Sequence, residues 1–159
     1  MSGMSRIVKT ISSIAFPFVL IYGLYIIAHG HLTPGGGFQG GAVVASGCAM
    51  ILVAYGSIWT MDKIKEKDLS VFESFGAIGF IGLAFFGLVF GAVFFNNFLV
   101  GNDILFGCIP AFGSTLANIN TAGVLPLMNF AVGLKVIAGL FAIVLVMAYA
   151  TSKKGGETK

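Results

Sequence analysis

The chain has 159 residues, 57% of them apolar and only 9% charged, with a formal net charge of +3 and a mean hydropathy of +0.99. Soluble domains carry about 25% charged residues, so this chain lacks the polar surface a soluble enzyme needs and must be covered by lipid or by other proteins. The basic residues do not gather into the stripe that nucleic-acid binding requires, and no nucleic-acid partner is expected.

An apolar helix needs roughly 20 residues to cross the hydrocarbon core, and four runs meet that length within a single membrane domain covering residues 1–159. The first runs from Ile7 to Ala28. Its apolar stretch is too long for a secretory signal, and no small-residue cleavage pattern follows it. Next comes His29-Gly30-His31-Leu32-Thr33-Pro34-Gly35-Gly36-Gly37-Phe38-Gln39-Gly40-Gly41. Pro34 fixes one dihedral and lacks a donor, so the first helix ends before it. The glycines fit two readings. One is a tight hairpin whose Gly36–Gly40 and Gly37–Gly41 pairs admit a neighbouring helix closely. The other is a partly unwound helix start whose free amides line a polar pocket.

The second span is expected from Phe38 to Trp59. The mixed charges that follow (Asp62, Lys63, Lys65, Glu66, Lys67, Asp68) read as a solvated turn from Thr60 to Ser74. The third span is expected from Phe75 to Phe95, with Glu73 just before it as a capping carboxylate. Phe85, Phe86, Phe94 and Phe95, with Gly76, Gly79, Gly82, Gly87 and Gly91, suit helix packing better than a cofactor site. A connection from Asn96 to Asn129 follows, with Asp103 as its only charge and with Pro110 and Pro126. Long loops are usually functional or disordered, and disorder needs a polarity this one lacks, so it is expected to pack on the helices or on another protein. The fourth span is expected from Phe130 to Ala150.

Lysine and arginine in the flanks set orientation. Arg6 and Lys9, then Lys63, Lys65 and Lys67, then Lys153, Lys154 and Lys159 fall on one side, and the first and third connections hold none. The expected fold class is therefore an all-α integral membrane protein with four transmembrane helices and both termini cytoplasmic. A glycine-rich break separates helices 1 and 2, and a long apolar outer loop precedes helix 4.

No nucleophile elbow, phosphate-binding loop or zinc signature occurs, so no catalytic residue is assigned and no metal or cofactor is expected in this chain. Cys48 and Cys108 have neither ligand nor disulfide spacing and read as small apolar residues. Lys135 is the one ionisable side chain expected inside a span. About five residues into its helix, it lies on the order of 8 Å below the outer end. From there it can snorkel to the interface or face a polar route between subunits as a proton carrier. His29 and His31, at the outer end of the first helix, fit either a proton relay or caps for the last carbonyls. Asn129 fits a helix start or a partner for Lys135.

The run Gly30-His31-Leu32-Thr33-Pro34-Gly35-Gly36-Gly37-Phe38-Gln39-Gly40-Gly41 resembles the G-H-x-x-P-G-G-G-F-x-G-G signature of the MnhB family, one of the membrane subunits of Mrp-type Na⁺/H⁺ antiporters. Gly123-Val124-Leu125-Pro126-Leu127-Met128-Asn129-Phe130-Ala131-Val132-Gly133-Leu134-Lys135-Val136 is similar to that family's G-x-x-P-x-x-N-x-x-V-G-L-K-V pattern. The resemblance implies a multi-pass subunit of the cell membrane, without catalysis of its own, in an assembly that moves Na⁺ and H⁺. Similar modules occur in archaeal membrane-bound hydrogenases and sulfane-sulfur reductases, with redox centres on other subunits. The implied partners are other membrane subunits, lipid, and Na⁺ and H⁺ as the ions moved. Pro34, Gly35, Gly36, Gly37, Phe38, Gly40, Gly41, Pro126 and Gly133 become motif positions with structural roles, and Lys135 and His31 gain weight as parts of an ion or proton path. A purely structural spacer, or a small homo-oligomeric transporter, are the rival readings.

Overall fold

A computed structural model of the protein describes residues 4–32, 34–91, 93–100 and 122–154. The described residues form five helices and no strand: α1 Arg6–Ala28, α2 Gly36–Tyr55, α3 Ser57–Lys63, α4 Glu66–Gly91 and α5 Leu125–Lys154. Four of them (α1, α2, α4 and α5) are long and apolar enough to cross a membrane. The sequence-based expectation of four spans and an all-helical fold holds. Asp103, Cys108, Pro110 and the packing expected of the outer loop lie outside the described residues.

Several boundaries differ from expectation, and α4 ends at Gly91 rather than Phe95. Only Ile64 and Lys65 separate α3 from α4, so most of the expected solvated turn is helical. Glu66 and Asp68 sit in the first turn of α4, where carboxylates complement the helix dipole. The second span stops early, at Tyr55, because Gly56 at φ 93° turns the chain into the short α3. The fourth span begins five residues early, at Leu125; Pro126 lies in its first turn, where proline removes no helical hydrogen bond.

Small residues set the order of the helices. α2 packs on α1 and on α5, and α4 packs on α5. A Cβ added at Gly40 would stand 2.6 Å from Ile27 Cγ1 and 2.7 Å from the Gly23 carbonyl oxygen of α1. One at Gly41 would stand 2.8 Å from Val136 Cβ and 3.0 Å from the Gly133 carbonyl oxygen of α5. Lipid offers helices no hydrophobic reason to associate, so close backbone approach supplies the contact instead. At the end where the chain starts, Leu52, Leu69, Phe141 and Leu145 close a buried cluster.

At the other end the chain folds back after α4. Phe95 packs on Phe80 (ring centroids 5.9 Å apart) and Phe94 edge-on to Phe85 (5.5 Å). The Asn97 amide donates to the Ala122 carbonyl (2.9 Å) and accepts from the Val124 N–H (2.8 Å). That pair of bonds joins the two flanks of the long connection and sets where α5 begins.

Candidate functional site

The glycine-rich segment closes as a tight turn rather than an unwound helix. Gly35 (φ 137°) and Gly36 (φ 53°) take backbone conformations that side chains disfavour, and α2 continues from Gly36 to Tyr55 with no further positive φ. Gly37 faces α5 so closely that a Cβ there would strike the Asn129 carbonyl oxygen and stand 2.9 Å from the Gly133 nitrogen. The Asn129 side chain rests on the same turn: a Cβ at Gly30 would be 3.0 Å from its Nδ2, and one at Gly36 would be 3.2 Å from its Oδ1. Asn129 is the fifth residue of α5, inside the helix rather than ahead of it.

His29 ends α1. Its N–H donates to the Tyr25 carbonyl (2.9 Å), and its ring stacks on Tyr25 with centroids 5.0 Å apart. Both ring nitrogens of His31 are buried beside this turn. His29, His31 and Asn129 thus belong to one constellation at the α1–α2 hairpin.

Lys135 belongs to another. Six residues beyond Asn129 on α5, it is rotated about 240° around the helix axis and faces α4, where a Cβ at Gly76 would stand 2.8 Å from the Lys135 nitrogen and 3.0 Å from its Cβ. Its depth also changes with the true helix start. Lys135 lies ten residues beyond Leu125, or about 15 Å at 1.5 Å per residue, not 8 Å. The Leu125–Ser152 span has its midpoint at Ala138–Gly139, about one turn from Lys135.

The structure supplies a neighbour that sequence reasoning missed. Glu73 lies in the interior of α4, seven residues beyond Glu66, not at a cap. A Cβ at Gly139 would stand 3.4 Å from Glu73 Oε1, which places the carboxylate against the middle of α5. Glu73 and Lys135 line one open cavity of about 220 Å³ with Phe38, Val136, Gly139 and Leu140. Lys135 also borders a cavity of about 410 Å³ with Gly76, Phe80 and Val132. Lys135 is exposed and Glu73 half-buried on this face. Phe38 is the residue of the glycine motif that lines this cavity with the lysine. The signal for Glu73 was its setting: Val71 and Phe72 before it and Phe75 after it continue the apolar run on both sides.

Among the described residues no group of three or more His, Cys, Asp or Glu comes together to hold a metal ion. Glu73 and Lys135 offer one acceptor group and one donor group of opposite charge to the same cavity. Together these groups can hand on a proton or attract a small ion.

Four helices long and apolar enough to cross a membrane define a multi-pass membrane protein. The match to the family described as "domain related to MnhB subunit of Na⁺/H⁺ antiporter" extends over residues 7–142. The chain belongs to that family. An uncharacterised protein of Methanocaldococcus jannaschii is 37% identical over 146 residues, covering 88% of this chain and 52% of the relative. A Na⁺/H⁺ antiporter subunit of Bacillus subtilis is 29% identical over 102 residues, covering 57% of this chain and 63% of the relative. In the structure of the membrane-bound sulfane sulfur reductase, an archaeal respiratory membrane complex, one chain superposes with a TM-score of 0.70 at 27% identity, covering 92% of this chain and 61% of that one. The chain thus spans about half the length of the first relative and less than two-thirds of the other two.

Proposed function

We propose that this chain is a subunit, without catalysis or cofactor of its own, of a multisubunit cation/proton module in the cell membrane, and that it shapes an ion or proton route. The parent assembly is an antiporter or a redox-driven ion pump, in line with the Bacillus and archaeal relatives. One observation carries the reading. Glu73 of α4 and Lys135 of α5 line one cavity on a face left open in the single chain. A charge at the bilayer centre costs roughly 2.5–3.5 kcal/mol even on insertion scales, so this face meets another subunit or a watered path rather than lipid. Four spans with one charged pair are slight equipment for coupled transport by the chain alone.

Purification of the tagged chain from its own membranes is expected to bring other membrane subunits with it. The reconstituted assembly is expected to move protons in response to Na⁺. A purified homo-oligomer that performs this exchange unaided overturns the subunit reading. The spacer reading draws on the glycine contacts among α1, α2 and α5, which are structural whatever the ions do; it is separated by the substitutions discussed below.

Both termini and the α3–α4 junction are assigned to the cytoplasm, because lysine and arginine concentrate there. Cysteines placed at 65 and 155 should resist an impermeant thiol reagent in sealed, right-side-out cells and react after lysis. Labelling at 65 in sealed cells reverses the topology.

A further inference from the structure

A second cavity lies at the opposite end of the bundle from the hairpin, among the first half of α1, the end of α2, α3 and α5. It measures about 320 Å³. Its walls are graded along the helix axes. Phe16, Cys48 and Phe141 form the deep end, and Tyr55, Trp59 and Lys63 form the mouth. From Tyr55 to Cys48 is seven residues of α2, a depth of about 10 Å.

The mouth is ordered by its own contacts. Tyr55 and Trp59 stack with centroids 4.5 Å apart. The Tyr55 hydroxyl and Ser13 Oγ share a hydrogen bond of 2.8 Å. Lys9 Nζ stands over the Tyr55 ring, 5.6 Å from its centroid. Two cations therefore lie near the mouth: Lys63 of α3, which lines the cavity, and Lys9 of α1, which does not line it but stands over the Tyr55 ring. Asp62 and Glu66 belong to the neighbouring stretch, but neither lines the cavity. Tyrosine and tryptophan above an apolar shaft, with lysines at its rim, match the layering of a membrane leaflet from headgroup to hydrocarbon.

We propose that this cavity is a binding site for an anionic phospholipid. One acyl chain enters the shaft toward Cys48 and Phe141, and the phosphate lies at the mouth between Lys63 and Lys9. A shaft about 10 Å deep suits a flexible hydrocarbon chain better than the side chain of a docking helix, and the cations at the rim complement a phosphodiester. The site is independent of Glu73 and Lys135 and stands whether or not they carry ions.

The test uses the full chain with its copurifying subunits, extracted in mild detergent, offered phosphatidylglycerol or phosphatidylcholine, and analysed for retained lipid by mass spectrometry. Phosphatidylglycerol should be retained in preference. Its retention should fall roughly thirtyfold in the Lys9→Gln/Lys63→Gln double variant, as expected for two surface lysines acting on one phosphate. Cys48→Phe, which fills the shaft, should lower retention of both lipids, and Lys65→Gln should change neither. Undiminished phosphatidylglycerol retention in the double variant overturns the proposal. So does a photoreactive residue at position 59 that crosslinks to another subunit instead of to lipid.

Discussion

Lys135→Met is expected to leave the assembly at normal abundance and to lower Na⁺-driven proton movement in vesicles by about tenfold or more, equivalent to at least ~1.4 kcal/mol of lost stabilisation along the route. Methionine keeps the length and apolar stem of lysine and removes its charge. Assembly survives because methionine preserves the close contact that the Lys135 backbone and Cβ make with Gly76 of α4. Glu73→Gln should impair transport to a similar degree. The informative variant is Glu73→Gln/Lys135→Met. If the two groups only stabilise each other's burial, the double variant carries no uncompensated charge and transport recovers toward wild type. If they serve the ion route, transport stays low while assembly is normal. Full transport by Lys135→Met, or recovery in the double variant, would leave this chain as a spacer.

The same pair alters how the histidines are read. His31 and Lys135 both attract attention as polar residues in matching motifs, yet they attach to different seams of the bundle. His31 lies at the hairpin with Asn129 contacting Gly30 and Gly36, and Lys135 lies on the α4–α5 seam with Gly76 and Glu73. Phe38 is the motif residue that shares a cavity with the lysine. It stands well exposed, at 61%, so its ring is available to a partner helix that also meets the charged pair.

Much of the architecture is legible in the sequence because the membrane imposes long apolar runs, and the four runs correspond to the four spans. What is not legible shares a cause: charged and proline residues at helix starts look like loop. Glu66 and Asp68 belong to the first turn of α4, and reading them as solvent-exposed linker moves the helix start to Phe75 and places Glu73 outside it. Pro126 hides the first turn of α5 in the same way and makes Lys135 look shallower than it is. The pairing of helices is not legible either. Each span is apolar all round, so lipid-facing and packed faces look alike in the sequence, and only the glycines differ. They differ among themselves too. A Cβ at Gly76 meets α5 backbone at 2.7 Å, whereas one at Gly82 meets nothing within 4 Å; the even row of glycines in the third span carries no hint of that difference.

That contrast yields the second large effect, on assembly rather than transport. Gly37→Ala is expected to destabilise the α2–α5 contact. Its added Cβ collides with the Asn129 carbonyl oxygen and comes within 2.9 Å of the Gly133 nitrogen and 3.0 Å of Val132 Cβ. Two of those three neighbours are backbone atoms in a helix, which cannot rotate aside as a side chain can, so α2 and α5 must separate locally. Overpacking of this kind typically costs about 1–3 kcal/mol, and Gly37→Leu should exceed that range. Gly82→Ala is the matched control. It adds the same methyl group in open space, where replacing a helical glycine by alanine is neutral or stabilises by up to ~1 kcal/mol. Thermal unfolding of the detergent-solubilised chain with its partners should show Gly37→Ala melting several degrees below wild type, with Gly82→Ala at or slightly above it. The amount of each variant retained in membranes should rank the same way. Equal melting of the two alanine variants would mean that α2 and α5 do not approach through Gly37, and the close packing of the hairpin onto α5 would have to be abandoned.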